Sequence, residues 1–349
     1  MKLLEKTLQQ ITSINKDIEA QARYRVDNLA KPVGSMGKLE DFFVQLAGIQ
    51  GTMHPKVDKR AIVVLAADHG VTDEGIAASA KEVTMVQTIN FARGVTGVCA
   101  LAKQANARIL PVDVGVAFDI ADERVINRKI KYGTKNMAKG PAMPYDEAVK
   151  CLEIGIEMAH MLIDEGYNVL GTGEMGIGNT TPSAAIISVL GDFSPEETTG
   201  VGANLPLDKL ANKVDVVKRS IEVNKPKADD AVDVLAKVGG YEIGGMAGVM
   251  LGCASRNVPV IVDGFISSAA ALIAKSLNPL SAEYMIASHK SMEKGAKLAS
   301  KSLGLTPVLD MDMRLGEGTG ASLMFNILEA AIYMGEEMIT FEEAAIAVV

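Results

Sequence analysis

Tryptophan is absent from this chain, aromatic side chains make up 4% of it, and its 349 residues include only three cysteines and four histidines. Cys99, Cys151 and Cys253 lie far apart and without ligand spacing, which fits reduced thiols buried as small apolar residues better than a disulfide frame. His54, His69, His160 and His289 are equally dispersed, so no zinc or other metal site is expected. Excess positive charge is missing too: 35 Lys and Arg face 43 Asp and Glu, a formal net charge of -8. Sequence-independent nucleic-acid binding needs dense Lys and Arg against the phosphates, so small-molecule partners are expected instead. No run reaches the roughly 18 apolar residues of a membrane span, and the most apolar stretch, Gly244 to Ala254, is short and glycine-rich. At the N-terminus, Glu5, Lys6, Lys16, Asp17 and Glu19 fall where a signal peptide needs an unbroken apolar stretch. A cytoplasmic protein without membrane contact is the expectation.

What is present fits an ordinary folded globular protein. Hydrophobic residues are 48% and charged residues 22%, close to average globular usage. The length exceeds the usual ~100–200 residues per domain, which calls for a large domain with a smaller companion or two comparable domains. Leu4, Leu8, Ile11, Ile14 and Ile18 recur at helical spacing and predict one amphipathic helix over residues 3–24. The segment from Lys31 to Gly37 interrupts it, and a new helical pattern runs from Leu39 to about Gln50. Short β-branched runs follow at Ala61–Ala66, Ala107–Val112, Asn168–Leu170, Pro259–Val262 and Pro307–Leu309, separated by helical stretches such as Thr84–Gln104, Tyr145–Glu165 and Ala269–Ser276. That alternation predicts an α/β fold with a doubly wound, mostly parallel sheet flanked by helices. The runs end in polar or glycine turns, Asp68-His-Gly70, Asp113-Val-Gly115, Gly171-Thr-Gly173, Asp263-Gly264 and Asp310, which such a sheet gathers at one mouth.

Two glycine loops carry the chemistry. In Gly171-Thr-Gly-Glu-Met-Gly-Ile-Gly-Asn-Thr-Thr181, glycines let the backbone approach a ligand, and the polar end offers N–H groups to an anion at a helix start. Gly171, Gly173 and Gly176 also spell a dinucleotide fingerprint, with Asp192 near the distance of a ribose-binding acid. Glu174 would repel a pyrophosphate there, although it can accept a hydrogen bond from a hydroxyl. In Arg314-Leu-Gly-Glu-Gly-Thr-Gly320, Glu317 stands between two glycines; it reads equally as a base facing a cleft and as an acid opening a helix. Lys213 follows the glycine turn Thr199-Gly-Val-Gly-Ala-Asn204, as a solvated helix charge or as a point charge reaching a phosphate. Asp68-His69-Gly70 reads as turn chemistry, and Ser288-His289 with Asp263 lacks the Gly-x-Ser-x-Gly elbow of a hydrolase. Met175 is the one methionine placed to press on a flat ring.

Taken together, Lys31-Pro-Val-Gly-Ser-Met-Gly-Lys-Leu-Glu40, Ala67-Asp-His-Gly-Val71, Gly173 to Thr181, Val262-Asp-Gly-Phe265, Ser288-His289 with Ser291, and Arg314 to Gly320 resemble the nicotinate-nucleotide:dimethylbenzimidazole phosphoribosyltransferase family over nearly the whole chain. The resemblance implies a large α/β domain over residues 26–320 and a small helical domain formed from both chain ends, 1–25 and 321–349. It implies a dimer, of this chain alone or with a paralogue, and no cofactor. Its substrates would be nicotinate mononucleotide and an aromatic base, giving an α-linked ribotide for the lower ligand of cobamides. By the same resemblance Glu317 is the general base, and Glu174 acts beside it near the nicotinate and ribose with Gly176 and Gly178. Asn179, Thr180, Gly202, Lys213 and Ser291 surround the ribose phosphate, and Ser79, Gln87, Met175 and Leu315 line the base pocket. Many members carry Gly-x-Gly-Thr-Gly where this chain has Gly200-Val-Gly-Ala-Asn204. Benzimidazole, purine and phenol acceptors all stay open. So do two other functions: a nicotinamide-dependent oxidoreductase, and a subunit of a hetero-oligomeric phenol-accepting phosphoribosyltransferase.

Overall fold

A computed structural model describes residues 2–346, so residues 1 and 347–349 of the expected small helical domain lie outside the described residues. In chain order the elements begin with α1 (Leu3–Gln10), α2 (Lys16–Asp27), α3 (Lys38–Gln50), β1 (Arg60–Ala67), α4 (Glu82–Arg93), α5 (Gly97–Gln104), β2 (Ala107–Gly115) and β3 (Ile126–Asn127). They continue through α6 (Tyr145–Asp164), β4 (Val169–Met175), α7 (Thr180–Gly191), α8 (Pro195–Thr198), α9 (Leu210–Asn224), α10 (Ala231–Val238) and α11 (Tyr241–Ala254). The last are β5 (Val260–Val262), α12 (Phe265–Leu277), β6 (Met285–Ala287), α13 (Ala296–Leu303) and α14 (Thr319–Glu337).

The six strands pair in parallel in the order β3-β2-β1-β4-β5-β6. This is the doubly wound arrangement, in which the winding reverses between β1 and β4 and a crevice opens beyond their carboxyl ends. All eight residues of β1 are buried, because helices cover both of its faces. On one face Ala61, Val63 and Leu65 join a large core with α6, α11 and α12. On the other, Ile62 and Val64 pack with Ala321, Phe325 and Leu328 of α14. A third cluster, Ala22, Val26, Phe43, Val44, Ala47 and Met334, ties α2 and α3 to the end of α14.

Several local expectations are corrected. The predicted helix over 3–24 is two helices, because Asn15 accepts from the Ile18 N–H at 3.0 Å and starts α2 afresh. Glu283 draws the intervening segment out by accepting from Ser13 Oγ and the Ile14 N–H, both at 2.9 Å. The Thr84–Gln104 stretch is also two helices: Gly94 ends α4 in the left-handed region at φ 76°, and Thr96 caps α5. Pro307–Leu309 makes only a single bridge, His289 to Leu309, while β3 and β6 were not anticipated. The β4 strand runs on to Met175, well beyond the expected Asn168–Leu170.

Helices α6 and α11 cross almost backbone to backbone. A Cβ on Gly155 would be driven into the Gly245 carbonyl, and one on Gly248 into the Leu152 carbonyl. Helix α11 is buried along its whole length, so neither helix has room to retreat. Gly155→Ala is therefore expected to destabilise the protein by about 1–3 kcal/mol through overpacking, read as a lower denaturant midpoint; an unchanged midpoint would contradict the crossing.

Candidate active site

The loop before α14 positions Glu317 by unusual backbone geometry. Gly316, Glu317 and Gly318 all have positive φ, at 84°, 62° and 100°. Glycine adopts this region freely, but Glu317 does so against a steric cost of order 1–3 kcal/mol, so something must hold it. That something is Asp263, just beyond β5, whose carboxylate accepts from the N–H groups of Gly318 at 3.1 Å, Gly320 at 2.7 Å and Ala321 at 3.2 Å. These are donors at a helix start that would otherwise lack partners. From the other side β4 makes room: a Cβ on Gly173 would collide with the Glu317 carbonyl, and one on Gly171 would lie 2.9 Å from the Ala321 Cβ.

Those contacts correct the dinucleotide reading. Gly171 and Gly173 lie inside β4 rather than in a turn, and they admit helix α14 and the Glu317 loop, respectively, rather than a pyrophosphate. Asp192 sits at the far end of α7 as its C-cap, away from the glycine loop at the helix start. The hydrolase arrangement does not form either: the buried Ser288 hydroxyl donates to the Asp263 carbonyl at 2.6 Å, and Ser288 Oγ at 3.0 Å and Asp263 Oδ1 at 3.9 Å face the same His289 nitrogen, Nδ1, rather than opposite ones.

The Glu317 carboxylate accepts from Gln87 Nε2 at 2.7 Å and from the Val98 N–H at 3.2 Å. Glu174 accepts from Asn179 Nδ2 and from the Glu317 N–H. Burial pushes the Glu174 carboxyl up to about 7, with Glu242 and Asp263 raising it further against those two hydrogen bonds. Asp263 is likewise pushed up to about 7 by burial, its three N–H donors opposing the rise. Lys213, 1% exposed, donates to Thr180 Oγ1 at 2.8 Å, and burial lowers its ammonium to about 8. Gly202, at φ 58°, passes so close that a Cβ would stand 2.6 Å from Thr180 Oγ1.

These groups share one cavity of ≈ 380 Å³, within the range of small-molecule sites. Glu317, Leu315, Gln87 and Ser79 line one part of it. The β4–α7 loop lines another with Glu174, Met175, Gly176, Gly178, Asn179 and Thr180, while Gly202, Lys213 and Ser291 complete the wall. Each residue that the family resemblance assigns to the site lines this same space, whereas Asp192, Ser288 and Asp263 do not. Sequence reasoning missed Glu293, Arg314 and the start of α12 at Phe265 and Ile266, which also line it. It missed the Asp263 clamp, hinted at only by an acid at a strand end, and the buried pair of His69 Nε2 and Glu242 Oε1 at 2.6 Å. That pair supports Gly176 from below, where a Cβ would lie 3.1 Å from both atoms.

A doubly wound sheet whose crevice gathers buried carboxylates and a buried lysine is the frame of an α/β enzyme working at that crevice. A family model described as Phosphoribosyltransferase matches residues 11–346, and the chain belongs to that family. A curated relative from Alkaliphilus metalliredigens, named nicotinate-nucleotide–dimethylbenzimidazole phosphoribosyltransferase, is 55% identical over 349 residues, 100% of both chains. One of the same name from Clostridioides difficile is 50% identical over 343 residues, covering 98% of this chain and 99% of its own. The crystal structure of the nicotinate-nucleotide-dimethylbenzimidazole phosphoribosyltransferase from Thermus thermophilus matches with a TM-score of 0.91 at 38% identity, over 96% of this chain and 100% of that one.

The raised acids fix a pH dependence of stability. Glu174 and Asp263 hold protons in the folded chain up to about 7, whereas unfolded carboxyls release theirs near ~4. The folded state binds more protons in that window, so this stabilisation is complete at low pH and is lost as pH rises through the folded values. Glu174→Gln should flatten the fall in urea midpoint between pH 5 and pH 8; an identical fall in wild type and variant would contradict the assignment.

Proposed function

We propose that the protein transfers ribose 5-phosphate from nicotinate mononucleotide to 5,6-dimethylbenzimidazole or a related aromatic base, yielding nicotinate and an α-linked ribotide, α-ribazole phosphate, for the cobamide lower ligand. The observation that carries this reading is the Glu317 carboxylate, 5% exposed and fixed by Gln87 and Val98, facing the same cavity as the buried ammonium of Lys213. The full-length relatives of the same name support it over an oxidoreductase or a phenol-accepting subunit.

In this reading the phosphate rests against Lys213, Thr180, Asn179, Gly202 and Ser291, and Glu174 with Gly176 and Gly178 borders the nicotinate and ribose. The acceptor lies among Ser79, Gln87, Met175 and Leu315. One ring nitrogen attacks C1 of the ribose while Glu317 takes the proton from the other. The bond from C1 to the pyridinium nitrogen breaks, and its electron pair neutralises that nitrogen as nicotinate leaves from the opposite face. Attack opposite the leaving group turns a β linkage into an α linkage. Holding attacker and leaving group in line accounts for much of the acceleration.

The helices of both chain ends, 1–25 and 321–349, form the small helical domain of this reading beside the large unit of 26–320. A cytoplasmic dimer, of one chain or with a paralogue, completes it; Leu315 and Val83, 60% and 40% exposed at the cavity, are apolar surface that a second subunit would cover. No helix among the described residues is long and apolar enough to cross a membrane.

With nicotinate mononucleotide and dimethylbenzimidazole, the purified chain should release nicotinate, and Glu317→Gln should slow release roughly 100- to 10,000-fold while donor binding persists. Equal rates would remove Glu317 from its role, and a panel of benzimidazole, purine and phenol acceptors identifies the base. Lys213→Met should abolish most donor affinity. In the wild type that affinity should decline above pH 8, as the ammonium lowered to about 8 loses its charge; a flat profile would separate Lys213 from the phosphate.

A further inference from the structure

Three carboxylates line the cavity: Glu174, Glu293 and Glu317. Two of them are already satisfied by the protein. Glu317 accepts from Gln87 and Val98, and Glu174 from Asn179 and the Glu317 N–H. Glu293 differs. Its residue is only 8% exposed, and its Oε2 is buried without a hydrogen-bond partner. An unpaired buried acceptor is costly, more so when charged, so the free enzyme keeps an acceptor waiting for a donor.

The surroundings show where that donor must come from. The Glu293 N–H donates to Ser291 Oγ at 3.4 Å, and a Cβ on Gly200 would stand 2.6 Å from Glu293 Oε2. The carboxylate therefore lies against the backbone of the glycine turn whose next glycine, Gly202, covers Lys213 and Thr180. Its charge is felt by the Lys213 ammonium. If the phosphate sits at Lys213, the sugar follows directly through C5′ and must pass this wall. At neutral pH the phosphate and the carboxylate of nicotinate mononucleotide are essentially acceptors, since a phosphate monoester loses its second proton near about 6. Only the ribose hydroxyls remain as donors.

We propose that Glu293 accepts hydrogen bonds from the ribose 2′ and 3′ hydroxyls of the donor nucleotide, and so selects a ribonucleotide over its deoxy counterparts. This rests on the function proposed above and adds a specificity-determining contact to it. The bound sugar supplies the missing donor, and it also separates the acid from the phosphate, which would otherwise repel it.

Calorimetric titration without acceptor tests the assignment, using nicotinate mononucleotide and its 2′-deoxy and 3′-deoxy analogues against wild type, Glu293→Ala and Glu293→Gln. Wild type should prefer the ribonucleotide over at least one analogue by on the order of 10- to 100-fold. Glu293→Ala should lose a similar factor for the ribonucleotide and bind it no better than that analogue. Glu293→Gln, whose amide oxygen still accepts, should fall between. Equal wild-type binding of all three nucleotides, or an alanine variant that keeps the wild-type preference, would overturn the proposal while leaving the transferase reading intact. Should the alanine variant not fold, the wild-type ratios and the glutamine variant decide it. Failure of wild type to bind nicotinate mononucleotide at all would bring down both.

Discussion

The carboxylate of Asp263 gathers the N–H groups of Gly318, Gly320 and Ala321, and on that grip depends the ability of the chain to hold Glu317 in a left-handed conformation. A helix start leaves backbone donors without partners, and the two oxygens of one carboxyl group satisfy three of them at once. The anchor belongs to the end of β5 and the strained residue to the loop before α14, so the geometry is set by the sheet rather than by the loop itself. The β4 strand completes the fit through Gly171 and Gly173, whose missing side chains admit the loop. Remove the clamp and Glu317 is free to relax toward an ordinary conformation, carrying its carboxylate away from Gln87 and Val98.

Burial gives the same arrangement its electrostatic character. Glu174, Glu293 and Glu317 line a crevice where Lys213 is the one fully buried cation among the lining residues, and Asp263 lies behind the Glu317 loop. With little water to screen them, charges act on one another far more strongly than at the surface. The donor of the proposed reaction carries a pyridinium, and positive charge spreads to the ribose as the bond from C1 to that nitrogen breaks. Carboxylates fixed beforehand by protein donors stabilise such charge without reorganising. The excess of acid that would discourage a simple phosphate binder thus suits a reaction whose cationic centre lies between a phosphate and an anionic base catalyst.

Much of this was legible in the sequence, and the parts that were not share a physical reason. Buried strands such as β1 show as β-branched runs because helices cover both of their faces. The two-residue β3 and three-residue β6 are too short for any pattern, and Pro307–Leu309 has a strand's composition but gains only one bridge beyond β6. The break between α1 and α2 was hidden because Ile11 and Ile14 keep helical spacing and are buried in the extended segment as well. What breaks the helix is Glu283, 269 residues from Ile14 along the chain, outside any local window. The glycine loops were visible because they express a demand of the backbone itself. Asp263 was visible only as an acid at a strand end and Glu293 was not singled out at all, because each acquires its meaning from an element that folding brings to it.

The three glycines Gly171, Gly173 and Gly176 show how one sequence pattern can serve two chemistries. In a dinucleotide site such glycines occupy the turn after the first strand and bring a pyrophosphate onto a helix start. Here the strand extends through two of them, and the space they leave is filled by another part of the same chain, the loop that carries Glu317. Only Gly176 remains at the cavity, where the Ala67 carbonyl, 2.5 Å from where a Cβ would stand, leaves no room for a side chain and the His69–Glu242 pair tightens the fit. The sheet order and the crevice at its switch point are common to both designs. What separates them is whether the close approach is made by a ligand or by the chain itself, and in this protein the Glu317 backbone carbonyl and the Ala321 side chain have taken the place.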